Sequence, residues 1–221
     1  MPRAPRPDFA RARERMVEKQ LRRRGIGDER VLEAMAHVPR ERFLPEPIRS
    51  RAYDDSALPI GHEQTMSQPW VVAAICEALA LSGKEDVLEV GGGSGYSAAV
   101  LARLARHVKS IERIPELADG ARSVLAELAI DNVEVIVADG SRGLADDSRY
   151  EGIAVHAATP EAPHTLLSQL APGGRLVVPI ATASADLLTV FRLEAGELRQ
   201  RTIGPCRFVR LIGAEGFDPP E

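Results

Sequence analysis

The spacing of apolar and polar positions changes character along the chain. In residues 8–24, Phe9, Val17 and Leu21 can share one helical face while arginines and acids occupy the other, which predicts an amphipathic helix. Gly25 and Gly27 are placed to end it, Asp28 to cap a second helix, and Val31, Leu32 and Met35 to form that helix's buried stripe. Pro39, Pro45 and Pro47 then punctuate the chain. From Pro69 the pattern alternates. A mostly apolar helix running from Pro69 toward Gly83 is followed by expected strands at 86–90, 107–111, 133–138, 152–158 and 175–180. Helices are expected at 97–106, 115–129 and near 163–170, the second opened by Pro115. Strands and helices alternating at this spacing imply crossover units and an α/β, doubly wound, mostly parallel sheet with helices on both faces. Beyond residue 180 the alternation stops. Segments 186–194, 197–203 and 206–213 read as strands joined by tight turns around Gly196 and Gly204, an antiparallel C-terminal edge. Two parts are therefore expected: an N-terminal helical cap and loop, 1–68, and a core with its edge strands, 69–221.

Composition narrows the partners. At 221 residues and 44% hydrophobic the chain can bury one full core. A formal net charge of −4 gives no global reason for a polyanionic partner, so no nucleic acid is expected. The arginine-rich start is read as the solvated side of a helix, because Asp8, Glu14 and Glu18 interrupt it. No apolar stretch reaches membrane-spanning length and the start has no hydrophobic signal core, so the expectation is a soluble cytoplasmic protein, unprocessed and monomeric, with no membrane partner. Cys76 and Cys206 are too few and too far apart in sequence for a disulfide framework or a metal knuckle, and no metal is expected.

The chemistry begins at "LEVGGGSGYS", residues 88–97, where a strand runs into a glycine turn. In an open parallel sheet the ligand sits beyond the carboxyl ends of the strands, and the turn after the first strand is placed there. The dinucleotide fingerprint G-x-G-x-x-G is met by Gly91 and Gly93, but its third position is Tyr96; the spacing is G-x-G-x-G through Gly95. A pyrophosphate needs a helix N-terminus close at hand, whereas S-adenosylmethionine, which has no phosphate, needs only a near approach of backbone. Glu112 ends the second strand about where a ribose-binding acid belongs. Asp139 and Gly140 end the third, where an aspartate can accept from an exocyclic amine. Three neighbouring strand ends thus suit an adenosine. Glu89, just before the glycines, can face a cofactor ammonium directly or through water.

With these residues in place the chain resembles the class I S-adenosylmethionine-dependent methyltransferases, and more narrowly the protein-L-isoaspartate O-methyltransferase family. The most specific likeness is "AYDDSALPIGHEQTMSQP" (52–69), which is similar to the family's PIG-x-x-QT-x-SQP, together with "AATPEAP" (157–163); "ERIPELA" (112–118), "LAPGGRLVVPI" (170–180) and residues 16–45 also match. The resemblance implies a Rossmann-like methyltransferase fold and transfer of a methyl group from S-adenosyl-L-methionine to the α-carboxylate of L-isoaspartyl residues in damaged proteins and peptides, a repair reaction. It implies Ser67 as the active-site serine, Thr65 as a cofactor or substrate contact, and a cofactor set of Glu89, Gly91, Gly93, Ser94, Gly95, Glu112, Arg113, Asp139 and Gly140. Ser67 stands just before the Pro69 helix, where its hydroxyl and the N–H groups of Trp70 and Val71 can hold a carboxylate; an N-cap role is compatible with this. A serine nucleophile would want a histidine partner, and none of His37, His62, His107, His156 and His164 takes that role from sequence. His62, beside the serine loop, is the best polar candidate for touching substrate; His156 reads as a rim residue and His164 as a helix decoration.

The chain departs from the family pattern at Tyr150-Glu151-Gly152, at Ala181 in place of glycine, in "ATASADLL", which lacks a glutamine, and at Arg210 and Ile212 in place of proline and threonine. Arg210 is expected in solvent. These departures leave the acceptor less secure than the cofactor. The competing readings are a carboxyl methyltransferase for a dedicated peptide or small molecule, an NAD-dependent oxidoreductase, and a non-catalytic adenosine-binding module.

Overall fold

A computed structural model describes residues 8–145 and 148–219. Residues 1–7 of the expected cap lie outside the described residues. The cap opens with α1 (Phe9–Met16), capped by the Asp8 carboxylate, which accepts from the Arg11 N–H. The expected single helix over 8–24 then changes pitch. Val17–Leu21 is a wide π turn and Arg22–Arg24 a tight 3₁₀ turn, ended by Gly25 at φ 93°. The wide turn lets Met16 and Leu21, five residues apart, both reach the core. Asp28 caps α2 (Glu29–His37) as expected, and Val31, Leu32 and Met35 are buried.

The segment 52–68, expected as a loop, contains a hairpin of β1 (Leu58–Gly61) and β2 (Gln64–Met66). Its turn residues, His62 and Glu63, both adopt left-handed backbone, at φ 51° and 58°. Neither is glycine, so the usual hairpin signal is missing from the sequence. The hairpin delivers Thr65, Met66 and Ser67 to the start of α3 (Pro69–Leu79), whose proline stands in the first turn and whose apolar residues are buried on nearly every side. Ala80, at φ 50°, ends this helix, short of Gly83, where the end was expected.

The core follows as β3 (Asp86–Val90), α4 (Tyr96–Leu101), β4 (His107–Glu112), α5 (Pro115–Glu127), β5 (Val133–Val137), β6 (Tyr150–Val155), α6 (His164–Ser168), β7 (Leu170–Ala181), β8 (Asp186–Glu194) and β9 (Glu197–Cys206). The sheet has seven strands in the order β5-β4-β3-β6-β7-β8-β9. Pairings from β5 to β7 are parallel, and β7–β8 and β8–β9 are antiparallel. The chain moves outward from β3 to β5 and then returns to place β6 beside β3, so strand order reverses between the ends of β3 and β6. Alternation along the strands splits the apolar residues between two faces. Val87, Ala154 and Val177 join the cluster formed by the cap, α3 and α4, while Leu88, Val90, Val155 and Leu176 pack with Leu166 of α6.

Two expectations for the C-terminal region fail. β9 runs straight through Gly204, where a turn was expected, and a register shift opposite Leu188 and Thr189 absorbs the irregularity. Pro205 is tolerated because β9 is an edge strand. Segment 207–212 is not a strand but a strap that makes isolated bridges. Ala158 donates to the Val209 carbonyl at 2.8 Å and accepts from the Leu211 N–H at 2.8 Å, which lays the strap over the carboxyl ends of the parallel strands.

Arg40 holds cap, loop and core together. It is fully buried, its Nε donates to the Ala52 carbonyl at 2.8 Å, its Nη2 to the Ser67 carbonyl at 2.7 Å, and its guanidinium lies 4.7 Å from the centre of the Tyr96 ring. Replacing Arg40 with methionine fills the volume but strands the buried Ala52 carbonyl and the half-buried Ser67 carbonyl. Equilibrium denaturant unfolding is expected to show a loss of about 3 kcal/mol; a wild-type midpoint would contradict this account.

Candidate active site

The glycine turn is built around the end of β4. The N–H groups of Gly91 and Gly92 both donate to the Ile111 carbonyl, at 2.9 and 3.0 Å. Gly92, which the motif spacing does not single out, is the tightest position: a Cβ there would overlap the Ser110 hydroxyl. Gly95, at φ 85°, caps α4, and a Cβ on it would come within 2.9 Å of Ala121 in α5. The close helix packing that a third glycine provides elsewhere is thus supplied by Gly95. Tyr96 is instead a buried anchor, its ring edge-on to Phe43 and its hydroxyl toward Met35 Sδ.

Glu112 sits where the strand order puts it, at the end of β4. Its carboxylate accepts from the Gly93 and Ile114 N–H groups, both at 2.8 Å. Each oxygen keeps a further lone pair. Together with Gln64, Gly91, Arg113 and Gly140 it lines a narrow cavity closed by Arg210 and Leu211 of the strap. Asp139 does not line this cavity. Burial works against its charge, but the Ala214 and Ser141 N–H groups, donating at 2.9 Å each, hold its carboxyl below the ordinary value. Its visible role is to tie the C-terminal segment to the end of β5. Arg210 is exposed to solvent, as expected, with its guanidinium 4.5 Å from the centre of the Phe217 ring.

A second, larger cavity of about 490 Å³ opens beside the turn, between the β2–α3 junction and the strap, with Thr65, Ser67, Trp70, Val71, His156 and Phe208 in its wall. Ser67 also lines the throat that runs beneath Gly91–Gly93, as do Thr65 and Ser94. Ser67 is not the N-cap of α3; Gln68 is, and the Val71 and Val72 N–H groups both donate to the Gln68 carbonyl at 3.1 and 3.3 Å. Val71 therefore has no free N–H to offer. The Ser67 carbonyl is taken by Arg40, which leaves its hydroxyl without a hydrogen bond among the described residues. His62 lies elsewhere. It is exposed at the hairpin tip and lines a separate cavity of about 420 Å³ with Arg42 and Glu116, so the structure does not bring it to Ser67.

His156 is not a rim residue. It follows β6 at the strand-order reversal, its N–H donates to the Val90 carbonyl at 2.9 Å, and its side chain is almost wholly buried while still reaching both the large cavity and the throat. Its Nε2 is 2.7 Å from Ser97 Oγ and 3.4 Å from Glu89 Oε1. Burial lowers its pKa to about 4, so the imidazole is neutral and the contact with Glu89 is not an ion pair near neutral pH. Glu89 itself is completely buried under the glycine turn. Its Oε2 accepts from Ser110 at 2.5 Å, and its Oε1 has no hydrogen-bond partner among the described residues. Burial raises its pKa to about 7, against the pull of Ser110 and Ser97 and with a push from the Glu112 charge. Only strand order would have revealed this cluster, since β3, β4 and β6 each contribute one residue and α4 contributes Ser97.

A family model described as Protein-L-isoaspartate(D-aspartate) O-methyltransferase (PCMT) matches residues 11–216. A protein-L-isoaspartate O-methyltransferase of Rhodopseudomonas palustris is 49% identical over 208 residues, 93% of this chain and 95% of that one. A protein-L-isoaspartate O-methyltransferase 2 of Marinobacter nauticus is 50% identical over 212 residues, 95% and 97% of the two chains. A solved protein-L-isoaspartate O-methyltransferase superposes with TM-score 0.80 at 31% identity, over 92% of this chain and 66% of that one. A Plasmodium falciparum chain described as a beta-aspartate methyltransferase (PCMT), solved in complex with S-adenosyl-L-homocysteine, shares the fold with TM-score 0.78 at 24% identity, over 90% and 98%.

The buried carboxyl makes stability depend on pH. Folding raises Glu89 from 4.5 to about 7, so the stability carried by its proton is complete below 4.5 and is lost as pH rises through about 7. The full span is roughly 3 kcal/mol. Glu89→Gln keeps a neutral side chain at every pH, so its stability relative to wild type should climb across that window in chemical unfolding experiments. A difference that stays flat from about pH 5 to about pH 8 contradicts the assignment.

Proposed function

The chain belongs to the protein-L-isoaspartate(D-aspartate) O-methyltransferase family, and we propose that Ser67 holds the acceptor carboxylate in its reaction. The reaction is transfer of a methyl group from S-adenosyl-L-methionine to the α-carboxylate of L-isoaspartyl residues in proteins, the step that opens their repair. The observation that supports Ser67 most directly is its position. Ser67, whose hydroxyl makes no hydrogen bond among the described residues, lines both the large cavity and the throat under the glycine turn.

The residues present suit the cofactor. Three left-handed glycines, Gly91, Gly93 and Gly95, bring bare backbone to the cavity, and beneath that turn the Oε1 of Glu89 is a buried oxygen with no hydrogen-bond partner among the described residues. When bound, S-adenosyl-L-methionine supplies a methyl group already activated on a sulfonium. Gly91, Gly93, Ser94 and Gly95 would cradle it, and Glu112, with Arg113 and Gly140 beside it, would hold its ribose. Asp139 would act from behind, by fixing the segment that closes the adenosine side, and Thr65 would stand at the junction of the two spaces. In this division residues through 68 supply the acceptor side and residues 69–221 the cofactor side, with the strap at 207–209 reaching back over the acceptor.

The acceptor carboxylate is ionised near neutral pH, so no residue has to remove a proton from it. What remains for the chain is placement. The Ser67 O–H can donate to one carboxylate oxygen and leave the other to attack in line. Trp70, Val71 and Phe208 form apolar wall around it, which excludes water and strengthens that hydrogen bond. Arg24, 5.2 Å from the Trp70 ring and paired with Asp55, and Arg207 place positive charge at the cavity wall, where it draws an anion in.

The test pairs an isoaspartyl peptide with its aspartyl twin. Wild-type protein should methylate the first and not the second. Ser67→Ala should lower kcat/KM by about 10- to 100-fold, the value of one hydrogen bond to a charged group, while S-adenosyl-L-homocysteine affinity measured by calorimetry stays within about twofold. Methylation of neither peptide by protein that binds the cofactor would sink the acceptor assignment.

A further inference from the structure

We infer that His156 is a second acceptor-binding residue, whose Nδ1–H hydrogen-bonds the acceptor carboxylate alongside Ser67. The inference rests on the proposed acceptor site and adds a residue to it. Its basis is a hydrogen-bond account of one buried pair.

Ser97 and His156 Nε2 are 2.7 Å apart, and both side chains are buried. A serine hydroxyl carries one proton to donate, and a neutral imidazole has one N–H and one bare nitrogen. If Nε2 carried the proton and gave it to Ser97, the Ser97 proton would need another acceptor. The other acceptor within reach is the Glu89 carboxyl, but its Oε2 already takes the Ser110 proton and burial favours the protonated form, which has a proton of its own to give. If Ser97 donates to Nε2, both groups are satisfied. The imidazole proton then sits on Nδ1.

Nδ1 has no hydrogen-bond partner among the described residues, and it is not one of the buried unpaired atoms there. It therefore keeps some access to the space that the ring lines. That space is shared: His156 and Ser67 are both in the wall of the large cavity and both in the throat. The position has a topological cause as well. His156 directly follows β6, across from Gly91 after β3, at the strand-order reversal where open parallel sheets place their ligands. The backbone bond from His156 to the Val90 carbonyl and the Ser97 contact leave the ring little freedom, so the donor is set before the acceptor arrives.

A neutral donor suits this acceptor. A cationic side chain would bind the carboxylate more tightly but would also withdraw the electron density that must attack the methyl group. Two uncharged donors, Ser67 and His156, orient the carboxylate and leave it a nucleophile. Desolvation, which lowers the pKa of His156 to about 4, keeps the ring in that state.

The two amide side chains separate the ring's two edges. His156→Asn keeps an N–H donor near Nδ1 and cannot reach Ser97; His156→Gln reaches toward Ser97 and offers no donor at the Nδ1 position. The lone tryptophan, Trp70, is in the same cavity wall, so isoaspartyl peptide binding can be titrated by its fluorescence without turnover, in the presence of S-adenosyl-L-homocysteine. His156→Gln is expected to weaken peptide binding by about tenfold and His156→Asn by less than about threefold, with S-adenosyl-L-homocysteine affinity and melting temperature close to wild type in both. Wild-type peptide affinity in His156→Gln overturns the inference. So does an equal loss in both variants accompanied by a lowered melting temperature, which would make the histidine a structural strut. If the wild-type protein does not prefer isoaspartyl over aspartyl peptide, the acceptor reading itself has failed; if it does and His156→Gln behaves as wild type, only the role of His156 has.

Discussion

A single buried cation constrains the geometry on which the site depends. Arg40 is removed from water completely, and burial lowers its pKa from the ordinary arginine value, yet a guanidinium stays protonated under any ordinary condition. Its charge must therefore be met by whatever surrounds it. The Ala52 and Ser67 carbonyls and the face of Tyr96 do so, and these three residues come from the cap, the junction of β2 with α3 and the first helix after the glycine turn. No such arrangement is a cheap way to gain stability, since desolvating a cation offsets most of what its contacts return. What the arrangement does supply is register. The carbonyl of Ser67, the proposed acceptor residue, and Tyr96, the first residue of the helix after the glycine turn, are tied to the same planar group.

The sheet then divides the remaining work. Side chains alternate faces along a strand, so Glu89 points with Val87 toward the side that carries the cap, α3 and α4, and meets Ser110, Ser97 and His156 there. Val90 points the other way, into the cluster beneath α6. The glycine turn passes over Glu89 with no side chain between them, because a Cβ on Gly92 would collide with Ser110. A buried polar cluster in contact with a glycine floor is costly to fold. It lies at the strand ends, where open parallel sheets place their ligands.

The parallel core was legible because its signal is periodic. Alternating strand and helix patterns, Pro115 and the glycines after Val90 led to the observed strand count from β3 to β7 and to the turn itself. The hairpin at 58–66 was hidden because its turn uses His62 and Glu63 in left-handed backbone, a strained choice that local residue preferences argue against. Gly204 misled in the opposite direction: a glycine in an edge strand can accommodate a register shift as easily as a turn. Glu112 could be placed by counting residues along one crossover. His156 could not, since its importance arises from β6 returning to lie beside β3, and no local pattern carries strand order. Asp139 was found at the right strand end, but the partner that occupies its carboxylate is the Ala214 N–H, distant by 75 residues.

In the proposed site, charge is graded along the path from solvent to the reacting point. Arg24, though paired with Asp55, and Arg207 stand in the wall of the large cavity, exposed to water, where positive charge can draw in an anionic peptide at little desolvation cost. Deeper in, the groups that reach the throat are uncharged: the hydroxyls of Thr65 and Ser67 and the neutral imidazole of His156. The formal cation of the interior, Arg40, gives its donors to backbone carbonyls instead of to the cavity. An acceptor carboxylate following this gradient exchanges ionic attraction for directional hydrogen bonds as it loses water. That order favours methyl transfer, because a carboxylate locked in an ion pair at the reacting point would be well bound and poorly nucleophilic.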